Sequence, residues 1–304
     1  MKILRFNDDR IGVLVNGDRS VVDVSDAIDY RVEKGPQRVM QQVIEEWESR
    51  FRGAFVERTT RNGGVPLESV QLLNPIPQPR KVLAAFANYL DTPERKPDDV
   101  PMEFFYKAPE TVGPEGTCHL KDIAPVYVWQ PEAEIAFVIG SHAKDVPVER
   151  AYDHIFGYVP FVDISARGMN RRTQFLPKGQ DGYALVGPWI TTADEVGDPH
   201  KIRVRSWVNG GARQDYSTEH MARKIPEQLA WLSRYVQLQS GDIVTTGTYH
   251  VGLGPINDGD VLEIELQKMG KVRYYIKADG PRKEPEFRPG VTQIPNATPG
   301  FTRV

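Results

Sequence analysis

Short apolar runs recur along most of the chain and predict a protein built mainly from strands. Residues 1–25 alternate apolar and polar positions around a turn at Asn16 and Gly17, which indicates a small antiparallel meander. Further strands are predicted over residues 82–87, 133–140, 157–162, 202–208, 243–246, 261–266 and 272–276. These runs do not alternate with helices as βαβ units would, so the fold class expected is α+β, mainly β.

Two segments carry a helical pattern instead. From Pro36 onward, apolar side chains return at helical spacing with charged residues on the opposite face: Val39, Met40, Val43, Ile44, Trp47 and Phe51. A second helix is predicted over residues 225–236, where Pro226 falls in the first turn.

Proline clusters suggest where domains end. Pro66, Pro75, Pro77 and Pro79 interrupt regular structure, so we expect a small N-terminal domain over residues 1–75 and a larger domain over 76–280. Residues 281–304 are rich in proline and predict an extended tail.

Composition narrows the classes of function. The 304 residues include 38 Lys and Arg against 41 Asp and Glu, without long runs of like charge, which disfavours a nucleic-acid partner or a membrane surface. No apolar stretch approaches the roughly 20 residues that cross a bilayer. The charged N-terminus lacks the apolar segment of a secretory signal, so a cytoplasmic protein is expected. With a single cysteine, Cys118, any metal must bind through oxygen or imidazole ligands.

Three carboxylates stand out as candidate metal ligands. Glu132 and Glu134 lie two apart in a predicted strand, so both project from one face. They indicate either an exposed edge with basic partners or a site for a hard divalent cation. Asp163 ends an apolar run, where a carboxylate needs either a salt bridge, for example with Arg167, or a metal. Together the three would suit octahedral Mg²⁺ or Mn²⁺.

A threonine- and glycine-rich loop offers a second part of a pocket. Thr245, Thr246, Gly247 and Thr248 follow a short apolar run. Their hydroxyls and backbone N–H groups could hold a carboxylate or an enolate, and the alternative is a tight bend without a ligand.

Ten motifs occur in an order that resembles the fumarylacetoacetate hydrolase family, over about residues 81–278. The motifs are Asn88-Tyr89, Phe105-Tyr-Lys107-Ala-Pro109, Glu132-Ala-Glu134-Ile-Ala-Phe-Val-Ile-Gly140, Gly157-Tyr158, Asp163-Ile-Ser-Ala-Arg167, Lys178-Gly-Gln-Asp181, Gly187-Pro-Trp-Ile190, Val208-Asn-Gly210, Gly241-Asp242 and Thr246-Gly-Thr248. The resemblance implies a fumarylacetoacetase-like mixed β-roll or β-sandwich catalytic domain, a small N-terminal α+β domain and a homodimer.

The resemblance also implies roles for individual residues. Glu132, Glu134 and Asp163 match the carboxylates that bind Mg²⁺ or Mn²⁺. Five residues are candidates for binding the substrate: Tyr89, Lys107, Arg167, Lys178 and Thr248. Lys178 matches a lysine that contacts the substrate's oxygens, and Thr248 matches the threonine of the substrate-holding loop.

One position departs from the family pattern. Hydrolytic members carry a histidine where this chain has Thr92, and a threonine is not a general base near neutral pH. Candidate catalytic groups are therefore Lys178, Glu94 and His250, although a solvated Glu94 and a structural His250 are the alternatives. Arg167 is followed by Gly168 where aspartate is usual.

These observations predict a divalent-metal-dependent enzyme that acts on a small 2-oxo or diketo acid. Hydrolysis of a C–C bond is the leading reaction. A hydratase, decarboxylase or isomerase acting on a related acid is the alternative, because Thr92 replaces the histidine. A non-catalytic protein that binds metal and ligand is the second alternative. Residues 91–101 form either a lid or a solvated loop.

Overall fold

The computed structural model describes residues 1–28, 35–61, 63–122, 126, 128–167 and 173–280. Gly168 and the predicted tail over residues 281–304 lie outside these ranges. The helices are α1 (Pro36–Glu45), a π-helix (Trp47–Phe51), α2 (Arg52–Arg61), α3 (Phe175–Lys178), α4 (Ala193–Val196) and α5 (Ile225–Tyr235). Short 3₁₀ helices occupy Ser25–Ala27, Leu67–Ser69, Pro97–Asp99, Val148–His154 and Thr218–His220.

Strands dominate the described chain, which confirms the mainly β class. They are β1 (Lys2–Phe6), β2 (Arg10–Val15), β3 (Ser20–Asp23), β4 (Val65–Pro66), β5 (Leu72–Leu73), β6 (Val82–Ala85), β7 (Phe104–Lys107), β8 (Thr117–Leu120), β9 (Val128–Ile139), β10 (Ile155–Arg167), β11 (Ala184–Val186), β12 (Ile190–Thr192), β13 (Arg203–Val208), β14 (Gly211–Ser217), β15 (Ile243–Thr245), β16 (Val261–Leu266) and β17 (Gly270–Ala278).

The strands form two sheets. The larger has the order β4-β3-β2-β1-β12-β10-β9-β15-β6-β7, with β11 paired to β10 and β5 paired to β1. The smaller has the order β14-β13-β16-β17-β8. Apolar residues of both sheets and of α5 share one buried cluster, so the smaller sheet covers one part of the larger.

The two longest strands, β9 and β10, form the antiparallel centre of the larger sheet and are buried along their whole length. Continuous apolar runs suit this position because both faces of the pair are covered by protein. In their register Asp163 lies opposite Glu132, and Phe161 lies opposite Glu134. Since side chains alternate along a strand, this register brings the three carboxylates to one face.

The N-terminal meander is confirmed as β1–β3, and its first strand continues the larger sheet. Ile3 of β1 pairs with Ile190 of β12, so backbone hydrogen bonds cross the predicted boundary near residue 75. The predicted long helix after Pro36 is divided into α1, the π-helix and α2. Its buried Trp47 packs edge-on against Phe156 of β10, with 5.5 Å between ring centroids.

None of the helices in the described ranges combines the length and the apolar character that crossing a bilayer requires.

We expect Phe55→Ala to lower the free energy of unfolding by about 3–5 kcal/mol, because the fully buried ring packs against Trp47 and Phe51. Val56→Ala, at the exposed neighbouring position, is the control and should cost less than about 0.5 kcal/mol. Urea unfolding followed by circular dichroism measures both. Since β1 pairs with β12, a single transition is expected, and a separate early transition of the N-terminal residues would contradict the structure.

Candidate metal centre and adjoining cavity

Three buried carboxylates form a cluster on the face shared by β9 and β10. Glu132, Glu134 and Asp163 are each less than 5% exposed. One oxygen from each lies within 4.8 Å of the others, close enough for the three to hold one ion. Like charges directly opposite each other on a sheet repel, so this arrangement requires positive charge nearby.

Two of the three carboxylates receive that charge from basic side chains. The Lys178 ammonium donates to Glu132 Oε2 at 2.9 Å and to Asp163 Oδ2 at 2.7 Å. Lys107 donates to Asp163 Oδ1 at 2.5 Å and to the Lys178 carbonyl at 2.5 Å. Arg167 donates to Glu132, and its Nε donates to Gln130 at 2.9 Å.

This network corrects the suggested pairing of Asp163 with Arg167. Arg167 lies four residues further along β10, opposite Val128, and its guanidinium bonds Glu132 of the neighbouring strand. Among the described residues, the basic partners of Asp163 are Lys107 and Lys178.

Glu134 is stabilised differently, since its donors among the described residues are neutral. The Thr245 hydroxyl and the Gly247 N–H, the latter at 2.8 Å, both donate to its Oε2. Burial and the neighbouring charges of Asp163 and Glu132 raise the pKa of Glu134 well above its ordinary value. Burial also raises the pKa of Glu132, but Lys178 and Arg167 outweigh it and hold that pKa below the usual range.

The donor set fits a divalent ion of the Mg²⁺ or Mn²⁺ type. Carboxylate oxygens are the ligands that these hard cations prefer. Glu134 has no ion pair in the part of the chain that the structure describes, and a cation beside it would supply the missing charge. Glu132, Glu134 and Asp163 are the residues that would hold the ion.

A cavity of about 130 Å³ adjoins the carboxylates. Ala85, Phe86, Ala87 and Phe105 form its apolar wall. Its polar wall consists of Glu132, Arg167, Lys178, Gly247, Thr248 and His250. The loop after β15 therefore contributes both to the support of Glu134 and to the cavity.

The predicted site residues fall into three groups. Arg167, Lys178, Thr248 and His250 line the cavity with Glu132. Tyr89 and Lys107 are fully buried outside its lining: Tyr89 packs on Tyr216 with 5.3 Å between ring centroids, and Lys107 lies against Asp163. Glu94 and Thr92 are exposed on the 91–101 segment, away from the cavity lining.

Sequence reasoning missed one close contact of the cavity wall. His250 Nδ1 lies 2.5 Å from Asp91 Oδ2. Asp91 also bonds Arg95 at 3.2 Å. The two partners are 159 positions apart, so no local pattern could have joined them.

Comparison with known proteins gives a consistent picture. The model of the fumarylacetoacetate (FAA) hydrolase C-terminal domain matches residues 81–277. A maleylpyruvate hydrolase of Aquipseudomonas alcaligenes is 29% identical over 297 residues, covering 91% of this chain and 100% of the relative. A mitochondrial oxaloacetate tautomerase of Xenopus laevis is 31% identical over 291 residues, covering 90% and 89%.

A solved structure extends the similarity to the fold. The maleylpyruvate hydrolase of Sphingobium sp. SYK-6, in complex with manganese(II) ion and pyruvate, has a TM-score of 0.81 and 30% identity. The match covers 92% of this chain and 100% of that one. The match therefore extends over most of the chain, beyond the C-terminal domain alone.

Glu134→Gln is expected to weaken Mn²⁺ binding by more than about 100-fold, since a ligand is lost rather than an outer contact. The amide oxygen still accepts from Thr245 and Gly247, so the fold should survive. Isothermal titration of the metal-free protein with Mn²⁺ measures the affinity. Glu265→Gln, on β16, is the matched control, and unchanged affinity in Glu134→Gln would remove this residue from the site.

The same variant should make the metal-free protein at least as stable as the wild type at pH 7. Glu134 has a higher pKa in the folded protein than in the unfolded chain, so it keeps its proton to a higher pH when folded. Its contribution to the free energy of unfolding is therefore lost as the pH rises from the ordinary glutamate pKa toward the raised pKa of the folded protein. The neutral amide avoids this loss. Urea unfolding in EDTA at pH 5 and pH 7 checks the sign, and a larger deficit of the variant at pH 7 would contradict it.

Proposed function

Because this chain belongs to the fumarylacetoacetate hydrolase family, we propose that it is a divalent-metal-dependent enzyme that hydrolyses a C–C bond in a small 2-oxo or diketo acid. The observation that carries the proposal is the buried carboxylate cluster beside a cavity that Lys178 and His250 also line. The similar maleylpyruvate hydrolase whose structure holds manganese(II) and pyruvate supports both the metal and the substrate class.

Each polar side chain of the cavity has a chemical role in this proposal. A divalent ion at Glu132, Glu134 and Asp163 would supply Lewis-acid stabilisation for the oxygens of a 2-oxo acid. The Lys178 ammonium binds the substrate's oxygens and opposes negative charge that develops there. Thr248 shapes the cavity wall, with its hydroxyl fixed between the Ala133 carbonyl and Gln214.

The charge balance favours an acid with two negative charges. The three carboxylates carry a formal charge of −3, and the three basic side chains that contact the cluster, Lys107, Lys178 and Arg167, carry +3. A bound divalent ion then leaves the site at +2. A 2-oxo dicarboxylate, which is a dianion at neutral pH, neutralises this excess, so we propose that class of substrate.

His250 is the general base in this proposal, in place of the histidine that Thr92 replaces. It lines the cavity, whereas Glu94 is exposed outside the lining. A histidine ring nitrogen is the side-chain group that most often accepts a proton in general base catalysis.

A second candidate function is keto–enol tautomerisation of a four-carbon 2-oxo dicarboxylate such as oxaloacetate. The small cavity, about 130 Å³, favours an acid of this size over a longer diketo acid. The similarity to an oxaloacetate tautomerase points the same way. Tautomerisation needs a proton acceptor but no attacking water, so the same side chains serve both reactions. Hydration and decarboxylation remain alternatives of the same chemistry.

A non-catalytic binding protein is less well supported. Several buried charges at one cavity are costly to maintain without a function that uses them. For assembly, we propose a homodimer, on the basis of the family resemblance.

We expect metal-dependent cleavage when acetylpyruvate, longer acylpyruvates, oxaloacetate and 2-oxo-3-deoxy sugar acids are incubated with the protein and Mn²⁺ or Mg²⁺. The products are identified by mass, and oxaloacetate enol is followed by its ultraviolet absorbance. EDTA should abolish turnover, because without the divalent ion Lys178 and His250 do not stabilise enough of the negative charge that develops on the substrate. Tautomerisation of oxaloacetate without any cleavage would favour the second candidate, and metal-dependent binding without product would favour the non-catalytic one.

Lys178→Met should weaken binding of pyruvate to the Mn²⁺-loaded protein by about 10-fold or more, because one charge-assisted hydrogen bond is lost. Mn²⁺ itself should bind at least as tightly, since Glu132 and Asp163 lose a competing cation. Titration with Mn²⁺ and then with pyruvate separates the two effects. Lys144→Met, at an exposed lysine, is the control. Unchanged pyruvate affinity would place Lys178 outside the binding site.

A further inference from the structure

The 91–95 segment meets the cavity at His250. Asp91 and His250 are each 13% exposed, and their contact joins the loop after β6 to the loop after β15. Building on the proposed function, we propose that Asp91, held in place by Arg95, is the positioning residue for the His250 base. The Arg95–Asp91–His250 triad then provides the proton acceptor that is lost where Thr92 takes the place of the family's histidine.

The loop that carries His250 is held from one side by Gln214. Its amide donates to Thr248 Oγ1 at 2.8 Å and to the Tyr249 carbonyl at 2.6 Å. The Tyr249 ring stacks on Tyr216 with 5.7 Å between centroids. These contacts hold Thr248 and Tyr249 in place and so orient the residue that follows them.

A close approach fixes the other end of this loop. Gly252 has a φ of +90°, and a Cβ there would lie 2.4 Å from the Arg213 carbonyl oxygen. Only glycine fits this conformation and this space. His250 therefore sits between two constrained points and has little freedom to leave the cavity wall.

Arg95 gives the opposite segment the same rigidity. Its guanidinium donates to the Ala87 carbonyl at 2.9 Å, to the Tyr89 carbonyl at 3.1 Å and to Asp91 Oδ1 at 3.2 Å. Ala87 has a φ of +49°, a conformation that non-glycine residues adopt rarely, and it also lines the cavity. Arg95 thus locks a strained turn and turns Asp91 Oδ2 toward His250.

The contact selects one form of the imidazole. A carboxylate accepts hydrogen bonds, so Asp91 Oδ2 accepts from His250 Nδ1–H and leaves the lone pair of the neutral ring on Nε2. No protein group within the described ranges bonds to Nε2. Burial raises the pKa of Asp91, but His250 and Arg95 outweigh it and lower the pKa, so the carboxylate is ionised at neutral pH.

In hydrolysis the proton moves as follows. A water O–H bond breaks and its proton goes to Nε2, while the water oxygen bonds to the acyl carbonyl carbon of the substrate and the C=O electron pair moves to oxygen. The C–C bond then breaks, its electron pair passes to the departing enolate, and the C=O bond re-forms as a carboxylic acid. Nε2–H returns its proton to the enolate carbon. Asp91 stabilises the imidazolium throughout and stays ionised.

The test compares Asp91→Asn and His250→Gln with Asp98→Asn, a matched change at a fully exposed aspartate of the 91–101 segment. Turnover is measured on the Mn²⁺-loaded protein with whichever 2-oxo acid of the panel above is cleaved fastest. Asp91→Asn should lower kcat by about 10²- to 10⁴-fold, because an amide no longer holds the imidazole tautomer. KM and Mn²⁺ affinity should stay within two-fold, and Asp98→Asn should match the wild type.

Arg95 supplies the second arm. Arg95→Met should lower kcat by about 10-fold or more. Arg95→Lys should recover part of the loss, because its ammonium still contacts Asp91. Proton NMR of the Mg²⁺-loaded protein gives a readout independent of turnover. The wild type should show a low-field Nδ1–H resonance that His250→Gln and Asp91→Asn both remove and that Asp98→Asn keeps.

The outcomes separate this inference from the proposed function. A wild-type kcat in Asp91→Asn, or a low-field resonance that survives it, overturns the positioning role even if His250 is essential. A wild-type kcat in His250→Gln overturns both the base and its positioning. If no acid of the panel is cleaved, the same variants are assayed on oxaloacetate tautomerisation. The proposed hydrolysis has then failed. The positioning role of Asp91 is in that case decided by the tautomerisation rates of the variants and by the NMR resonance.

Discussion

The repulsion among three buried carboxylates is the constraint on which the rest of this site depends. Two antiparallel strands, β9 and β10, bring Glu132, Glu134 and Asp163 to one face in a register that buries all three. Such a cluster is stable only with compensating charge. Lys178 and Lys107 supply part of it. Among the described residues Glu134, whose pKa is raised, is bonded to neutral donors, and a divalent cation would supply the charge that it lacks.

Loops and strands next to that strand pair provide the rest of the cavity wall. The loop after β15 supports Glu134 and presents Thr248 and His250 to the cavity, while β6, β7 and the turn at Ala87 provide the apolar wall. The strands thus hold the three carboxylates of the candidate metal site, and a loop carries Thr248 and His250 of the cavity wall. A maleylpyruvate hydrolase and an oxaloacetate tautomerase are both similar to this chain, which agrees with the rule that one fold can host more than one reaction.

Sequence patterns predicted the elements well where the apolar run was long or the period regular. The strand at 261–266 and the helix at 225–236 were found almost to the residue. Strand β14 was missed because its sequence is largely polar and half exposed, and β7, β8, β11 and β12 because they are only three or four residues long. The helix after Pro36 was expected to be continuous, yet it passes through a π-helix that keeps both Trp47 and Phe51 buried.

The sequence by itself determined the family, the mainly β class and the set of three carboxylates, because ordered motifs and a period of two are local properties of the chain. Only the tertiary structure decided the partners. Arg167 bonds Glu132 rather than Asp163. Glu94 is exposed although Ala87, seven residues earlier in the chain, lines the cavity. His250 meets Asp91 across 159 positions. Such pairings depend on strand register and on how loops close over a sheet, and those are set by packing of distant segments that no local pattern encodes.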